Sequence, residues 1–196
     1  MANKALDTSL LDRAIIFAVR AHSGTERRGK GFPYIVHPME AMSIVATMTS
    51  DQELLAAAVL HDTVEDTDVT VEQLREEFGE RVAMLVAIES DTIEEGISKK
   101  DSWHGRKQDA ITRLANAPLD AKIVALGDKL SNMRAIARDF ETQGKSLWNM
   151  FNIKVHEDHE WHYRGLADSL KELQDTDAYK EFEQLIDKVF GSRSLK

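Results

Sequence analysis

The chain has 196 residues, no cysteine, 42% hydrophobic and 30% charged residues, and a formal net charge of −9 from 25 Lys+Arg against 34 Asp+Glu. That composition is globular rather than disordered or fibrous, and the lack of cysteine removes disulfides, thiolate metal sites and cysteine nucleophiles together. No apolar run approaches the roughly 20 residues of a membrane span, the first residues show no signal-peptide pattern, and the acidic balance argues against a nucleic-acid duplex, so a cytoplasmic protein with no membrane partner is expected.

Helical periodicity dominates the chain. Leu10, Leu11, Ala14, Ile15 and Ala18 fall at i, i+3, i+4, i+7 spacing and predict a first helix, with Thr8 or Ser9 as cap and Gly24 as stop. Residues 23–34 are Gly-rich and basic and read as a loop. His37-Pro38 opens a second helix running to about residue 50, with the proline in its first turn, where a missing N–H costs nothing. Asp51 caps a third helix over 52–61. Thr70 with Gln73 three residues on starts another, ending near Gly79. Residues 80–89 form a short apolar helix, 101–115 and 118–140 longer ones, and 147–153 fits no single pattern. Helices over 156–173 and 178–190 close the chain, with Gly191 as a stop. The fold class is therefore all-α in one domain, with a short β-hairpin or a loop near residues 89–100.

The charge is not spread evenly. Residues 61–96 hold 12 Asp/Glu and 2 Arg, a net of −10, so the other 160 residues sum to +1. Residues 97–138 carry a net of +5 and residues 20–31 a net of +3. Solvated helix faces explain many such runs. The sharper reading is an acidic pole for a metal flanked by basic poles for an anionic substrate.

Three places combine costly residues with informative spacing. Leu60-His61-Asp62-Thr63-Val64-Glu65-Asp66-Thr67 ends an otherwise apolar helix, and ionisable groups there are expensive without a partner. If the helix continues, His61-Asp62 stack one turn from Glu65-Asp66. Imidazole plus carboxylate suits Mn, Fe, Zn or Mg rather than Cu(I), though a polar helix end without metal fits the dipeptide too. His37 opens its helix, and Asp128 interrupts the apolar face of residues 123–134, with Asn132 at i+4. Lys129 and Arg134 project elsewhere on that helix, so an ion pair from Asp128 to either is not expected. His156, His159 and His162 recur every three residues and read as part of a mixed surface helix.

In order along the chain these segments resemble the HD-domain metal-dependent phosphohydrolases, and within them the RelA/SpoT-type (p)ppGpp hydrolases. The loop from Arg28 to Pro38 (RGKGFPYIVHP) is similar to the family's F-R-x-x-G-x-P-Y-I-x-H-P. Residues 57–67 match A-x-L-H-D-T-V-E-D-T, and residues 127–134 match A-D-[RK]-L-x-N-[ML]-R with Gly127 in the first place. With no residues left for a synthetase or regulatory domain, the resemblance is to the stand-alone small alarmone hydrolases, including the animal type. It implies one HD hydrolase domain over 1–196, a helical bundle with its motif core at about 10–140 and C-terminal helices over 141–196.

The resemblance implies a metal, usually Mn²⁺ with Zn²⁺, Fe²⁺ and Mg²⁺ as alternatives, held by His37, His61, Asp62 and Asp128. It gives Glu65 and Asp66 the task of orienting or deprotonating water, for which adjacent carboxylates are apt because like charges raise one pKa. The implied reaction is metal-dependent hydrolysis of the 3′-pyrophosphate of (p)ppGpp to GDP or GTP and pyrophosphate. Arg28 aligns with a loop arginine that lies against the base, Asn132 with a substrate-contacting asparagine, Lys107 with a phosphate-binding lysine, and Lys154 with a basic residue of the last substrate-binding helix. Asp158 stands where relatives often carry an aromatic residue, and Tyr163 is a neighbouring substitute. A small-molecule nucleotide is thus the expected partner, a homo-oligomer stays open, and the competing classes are an HD hydrolase of another nucleotide, such as (p)ppApp or NADPH, and a non-catalytic nucleotide-binding module.

Overall fold

Local capping chemistry sets several helix starts in the computed structural model, which describes residues 6–90 and 102–193. Helix α1 (Ser9–Ala21) follows Thr8, whose hydroxyl goes to the Asp12 carboxylate at 2.9 Å rather than to the backbone. Helix α2 (Val36–Val45) carries Pro38 in its first turn. It stops at Val45, short of residue 50: the Thr47 and Met48 amides donate to the Ile44 and Val45 carbonyls three residues back, tightening the last turn, and the backbone is extended at Asp51. That extension lets the Asp51 carboxylate accept from the Glu53 amide and cap α3 (Gln52–Leu60).

The helix does not run unbroken through the acidic motif. The Thr63 hydroxyl accepts no backbone N–H but donates to the Leu60 carbonyl at 2.7 Å, and the backbone relaxes at Asp62 (φ −90°, ψ −3°) before the single turn α4 (Thr63–Asp66). Thr70 and Gln73 complete a capping box for α5 (Val71–Phe78), and Gly79 at φ +91° lets the chain turn straight into α6 (Glu80–Glu89).

After the undescribed residues come α7 (Trp103–Ala115) and the 25-residue α8 (Leu119–Gln143), then a 3-10 segment at Gly144–Met150. Helix α9 (His156–Ser169) ends earlier than residue 173, where a short 3-10 turn (Lys171–Leu173) leads to α10 (Asp177–Phe190). Among the described residues the one bridge of β type is isolated, joining Glu26 to Pro33 across the basic loop. The hairpin-or-loop expectation falls largely on 91–101, outside the described residues. No helix among the described residues is long and apolar enough to cross a membrane.

Two clusters of buried side chains share α8. Ala121 and Val124, near its start, belong with α1, α3, α5 and α6. Ala125, Leu126, Leu130 and Met133, further on, pack with α9 and α10. Helix α2 lies against both α3 and α8. The α2–α8 approach is close at one point: a Cβ on Gly127 would sit 2.6 Å from Val45 Cγ2 and 2.7 Å from the Ala41 carbonyl oxygen. Glycine there brings the residue before Asp128 against the helix that carries His37. At Gly165 a Cβ would meet only the flexible Ile111 side chain, at 2.5 Å.

Gly127→Ala should therefore destabilise the protein by about 1–3 kcal/mol, the usual cost of overpacking, because a backbone oxygen cannot step aside. Gly105→Ala in α7, where nothing lies within 4 Å, should instead be neutral or stabilising by up to about 1 kcal/mol. Urea unfolding of both variants checks the contrast, and equal midpoints would refute it.

Candidate active site

Three helical segments aim four side chains at one point: His37 from the first turn of α2, His61 and Asp62 from the α3–α4 break, and Asp128 from mid-α8. One ligand atom each from His37, His61 and Asp128 lies within 4.8 Å of the others, and all three residues are buried. Asp62 lies beside these three, its Oδ2 3.0 Å from His61 Nε2 and 3.4 Å from His37 Nε2. Asp128 Oδ1 mirrors it, 3.0 Å from His37 Nε2 and 3.4 Å from His61 Nε2.

The donor set fits a divalent cation on its protonation chemistry. His61 Nδ1 lies 2.8 Å from the Ala58 carbonyl oxygen, which only accepts, so Nδ1 carries the proton. Neutral His61 therefore turns a bare Nε2 lone pair toward two carboxylates, and that buried nitrogen has no hydrogen-bond partner. Lone pairs converging on lone pairs are unfavourable unless a cation or an added proton sits among them. Without metal the proton takes that role. Burial pushes the His61 imidazolium down, but the Asp62 and Asp128 carboxylates overcome it and hold its pKa well above the usual value. Burial likewise opposes ionisation of both acids. The His61 and His37 imidazoles at Asp62, and Lys129 with His61 at Asp128, keep those carboxyls well below their ordinary range.

Around this floor is a cavity of about 310 Å³, within the small-molecule range. Glu65 and Asp66 line it, as do Lys107 and Asn132. Asn132 is fixed from both sides: its Nδ2 donates to Asp128 Oδ1 at 2.5 Å and its Oδ1 accepts from Arg27 Nη2 at 2.5 Å. Tyr34, whose hydroxyl burial and the neighbouring Asp62 push upward in pKa, donates to Asp62 Oδ2 at 2.7 Å.

Other sequence expectations need correction. Arg27, not Arg28, reaches the main cavity, with its guanidinium 5.1 Å from the Tyr34 ring centre. Arg28 is exposed and borders an adjoining, mostly apolar recess of about 190 Å³ shared by Arg27, Tyr34, Asn132 and Phe151. Gly29 (φ +69°) and Gly31 (φ +70°) turn this loop just after the two arginines. Lys154 is exposed in the segment before α9 and lines neither space.

Lys129 does pair with Asp128: its Nζ lies 2.6 Å from Oδ2 and 3.2 Å from Glu89 Oε2, since a four-carbon stem can swing back over its own helix. Arg134 binds Glu181 and Glu40 instead. The histidine triplet is no surface run. His159 is buried, stacks on Trp148 at 4.7 Å and faces the Ile153 carbonyl, while His162 lines the cavity beside Trp103. Asp158 faces His104 at 3.3 Å, and Tyr163 lines the cavity. Sequence reading missed Arg27, Lys129, Arg113 and Trp103 as lining residues. The basic loop and the Asp128-Lys129 dipeptide were the available signals for the first two.

A family profile described as HD domain matches residues 14–153. An Aquifex aeolicus protein named guanosine-3′,5′-bis(diphosphate) 3′-pyrophosphohydrolase is 37% identical over 131 residues, 64% of this chain and 18% of the relative. A Synechocystis protein named probable guanosine-3′,5′-bis(diphosphate) 3′-pyrophosphohydrolase is 29% identical over 207 residues, 95% of this chain and 25% of the relative. The chain thus spans a quarter or less of the length of these relatives. A solved structure described as a metazoan ortholog of SpoT that hydrolyzes ppGpp shares the fold, with a TM-score of 0.74 and 23% identity, covering 96% of this chain and all of the other.

The raised pKa of His61 has a pH consequence in chelator-treated protein. Stability from its proton is fully present below the unfolded value of about 6.5 and is lost as pH rises through the higher folded value. A cation competes for the same lone pair, so the rise in Tm caused by Mn²⁺ should grow as pH increases above about 6.5. Calorimetric scans with and without Mn²⁺ across that interval measure it, and a pH-independent increment would contradict the site.

Proposed function

The chain belongs to the HD-domain family, and on that footing we propose that it hydrolyses the 3′-pyrophosphate of ppGpp or pppGpp to GDP or GTP and pyrophosphate. One observation carries the reading: a buried cluster of imidazole lone pairs and carboxylates opens into a cavity that also holds Lys107, Arg113 and Lys129. The names of the Aquifex and Synechocystis relatives support it, and the HD-domain match over residues 14–153 spans His37, His61, Asp62 and Asp128.

We take His37, His61, Asp62 and Asp128 as the holders of a divalent cation, Mn²⁺ first among the candidates. Bound there, the cation supplies Lewis acidity toward the phosphoryl group and acidifies water. The chain's own residues do the rest. Water adds to the phosphorus bonded to ribose O3′, the P–O3′ bond breaks, and O3′ takes up a proton. Glu65 and Asp66, on the cavity wall one turn beyond His61-Asp62, accept the proton that water gives up. Two acids alone would repel a pyrophosphate. The cations of Lys107, Arg113 and Lys129 offset that repulsion, and Lys129 is held in place by Asp128 and Glu89.

Asn132 and Arg27, hydrogen-bonded to each other, stand between the cluster and the adjoining apolar recess. We assign the base to that recess, with the planar Arg27 guanidinium as its platform.

The test is Mn²⁺-dependent release of pyrophosphate from ppGpp, pppGpp, ppApp and NADPH in parallel. Guanosine substrates should turn over fastest, and Glu65→Gln should lower kcat by about 10²–10⁴. Arg27→Ala should raise KM more than Arg28→Ala does. No turnover of ppGpp by metal-loaded protein would overturn the proposal, and a faster reaction with NADPH would move it to another nucleotide.

A further inference from the structure

The back of His37 carries an arrangement that the proposed chemistry does not use. Its Nδ1 lies 2.8 Å from Ser131 Oγ, and Ser131 Oγ lies 2.8 Å from Glu40 Oε2. Ser131 is 2% exposed, and both partners come from other helix turns: His37 and Glu40 sit one turn apart on α2, Ser131 on α8.

The direction of the chain follows from proton counting. A serine hydroxyl has one proton, and a carboxylate oxygen only accepts, so Ser131 donates to Glu40. Its oxygen is then left to accept, and the donor is His37 Nδ1–H. Neutral His37 is thereby held in the tautomer whose Nε2 lone pair faces Asp62 and Asp128. Glu40 is itself oriented: its Oε1 lies 3.4 Å from Arg134 Nη1, and Arg134 makes two further bonds, of 2.7 and 2.6 Å, to Glu181 of α10.

We infer that Ser131 and Glu40 are positioning residues for the cation site, acting through His37 as a hydroxyl-relayed carboxylate–histidine pair. A carboxylate behind a ligating imidazole raises its basicity and fixes its ring. Here Ser131 extends the reach of Glu40, because the first turn of α2 turns the Nδ1 edge of His37 toward α8 rather than along α2. The other histidine uses a plain carbonyl, Ala58 O, so the two imidazoles are supported by unequal acceptors. The inference rests on the assignment of His37 as a metal ligand.

Mn²⁺ titration of the full chain against a chelating indicator tests both together and separates them. His37→Ala, Ser131→Ala, Glu40→Ala and Glu40→Gln are compared with wild type, alongside thermal unfolding of each metal-free variant. Ser131→Ala and Glu40→Ala should weaken Mn²⁺ binding about 10- to 100-fold. Glu40→Gln, which keeps an oxygen able to accept from Ser131, should lose only a few-fold. A role in packing alone would lower the metal-free Tm and leave the Mn²⁺ affinity unchanged. Should Ser131→Ala fail to fold, the ranking of Glu40→Ala against Glu40→Gln at that half-buried position decides the matter. Wild-type affinity in both Glu40 variants with loss in His37→Ala overturns the relay and keeps the cation site. Wild-type affinity in His37→Ala overturns both.

Discussion

Two carboxylates aimed at two imidazole lone pairs, on the floor of a cavity, set the terms for everything around them. Such a cluster repels itself unless positive charge enters it. Each side chain is therefore held by something behind it: Ala58 behind His61, Ser131 behind His37, Tyr34 behind Asp62, Lys129 and Asn132 behind Asp128. These supports come from two helices, α3 and α8, and from the loop before α2. The bundle must bring α2, the α3–α4 break and α8 together to within the length of a side chain. Gly127 permits that approach, and the break at Asp62 turns both residues of a single dipeptide inward.

The same demand explains the uneven charge of the chain. The acidic excess begins at His61, and part of it lines the cavity as Asp62, Glu65 and Asp66. The basic segments on either side return to that cavity through Arg27, Lys107, Arg113 and Lys129. A net charge read over the whole chain conceals this, because opposite poles cancel in the sum while remaining separate in space.

How much of this was legible in the sequence follows from how local each cause is. Caps at Asp51 and Thr70 depend on three or four consecutive residues, and their helices begin where expected. His37, His61, Asp62 and Asp128 stand out because ionisable groups on apolar faces are costly, and the bundle gathers them at one point. Arg27 and Arg28 are indistinguishable in sequence; only the long-range contacts of Arg27, to Asn132 and the Tyr34 ring, set it apart in the fold. Lys129 was placed on the wrong side because helix spacing fixes Cβ directions and not the reach of a long stem. The histidines of α9 looked like surface because their burial comes from Trp148 and from Trp103, residues of distant segments. The early end of α2 lies in a tightened last turn and in the extended backbone at Asp51, which periodicity alone does not register.

Arg27 touches the ring of Tyr34 and the amide of Asn132; Tyr34 holds Asp62, Asn132 holds Asp128, and both acids face His37. These contacts close a circle. Within it a replacement that removes a hydrogen-bonding member leaves its partner's donor or acceptor stranded in a half-buried setting. Substitutions within such a circle are expected to be non-additive, because each member shares a partner with the next. A change at Arg27 is therefore felt at both acids at once, through Tyr34 at Asp62 and through Asn132 at Asp128.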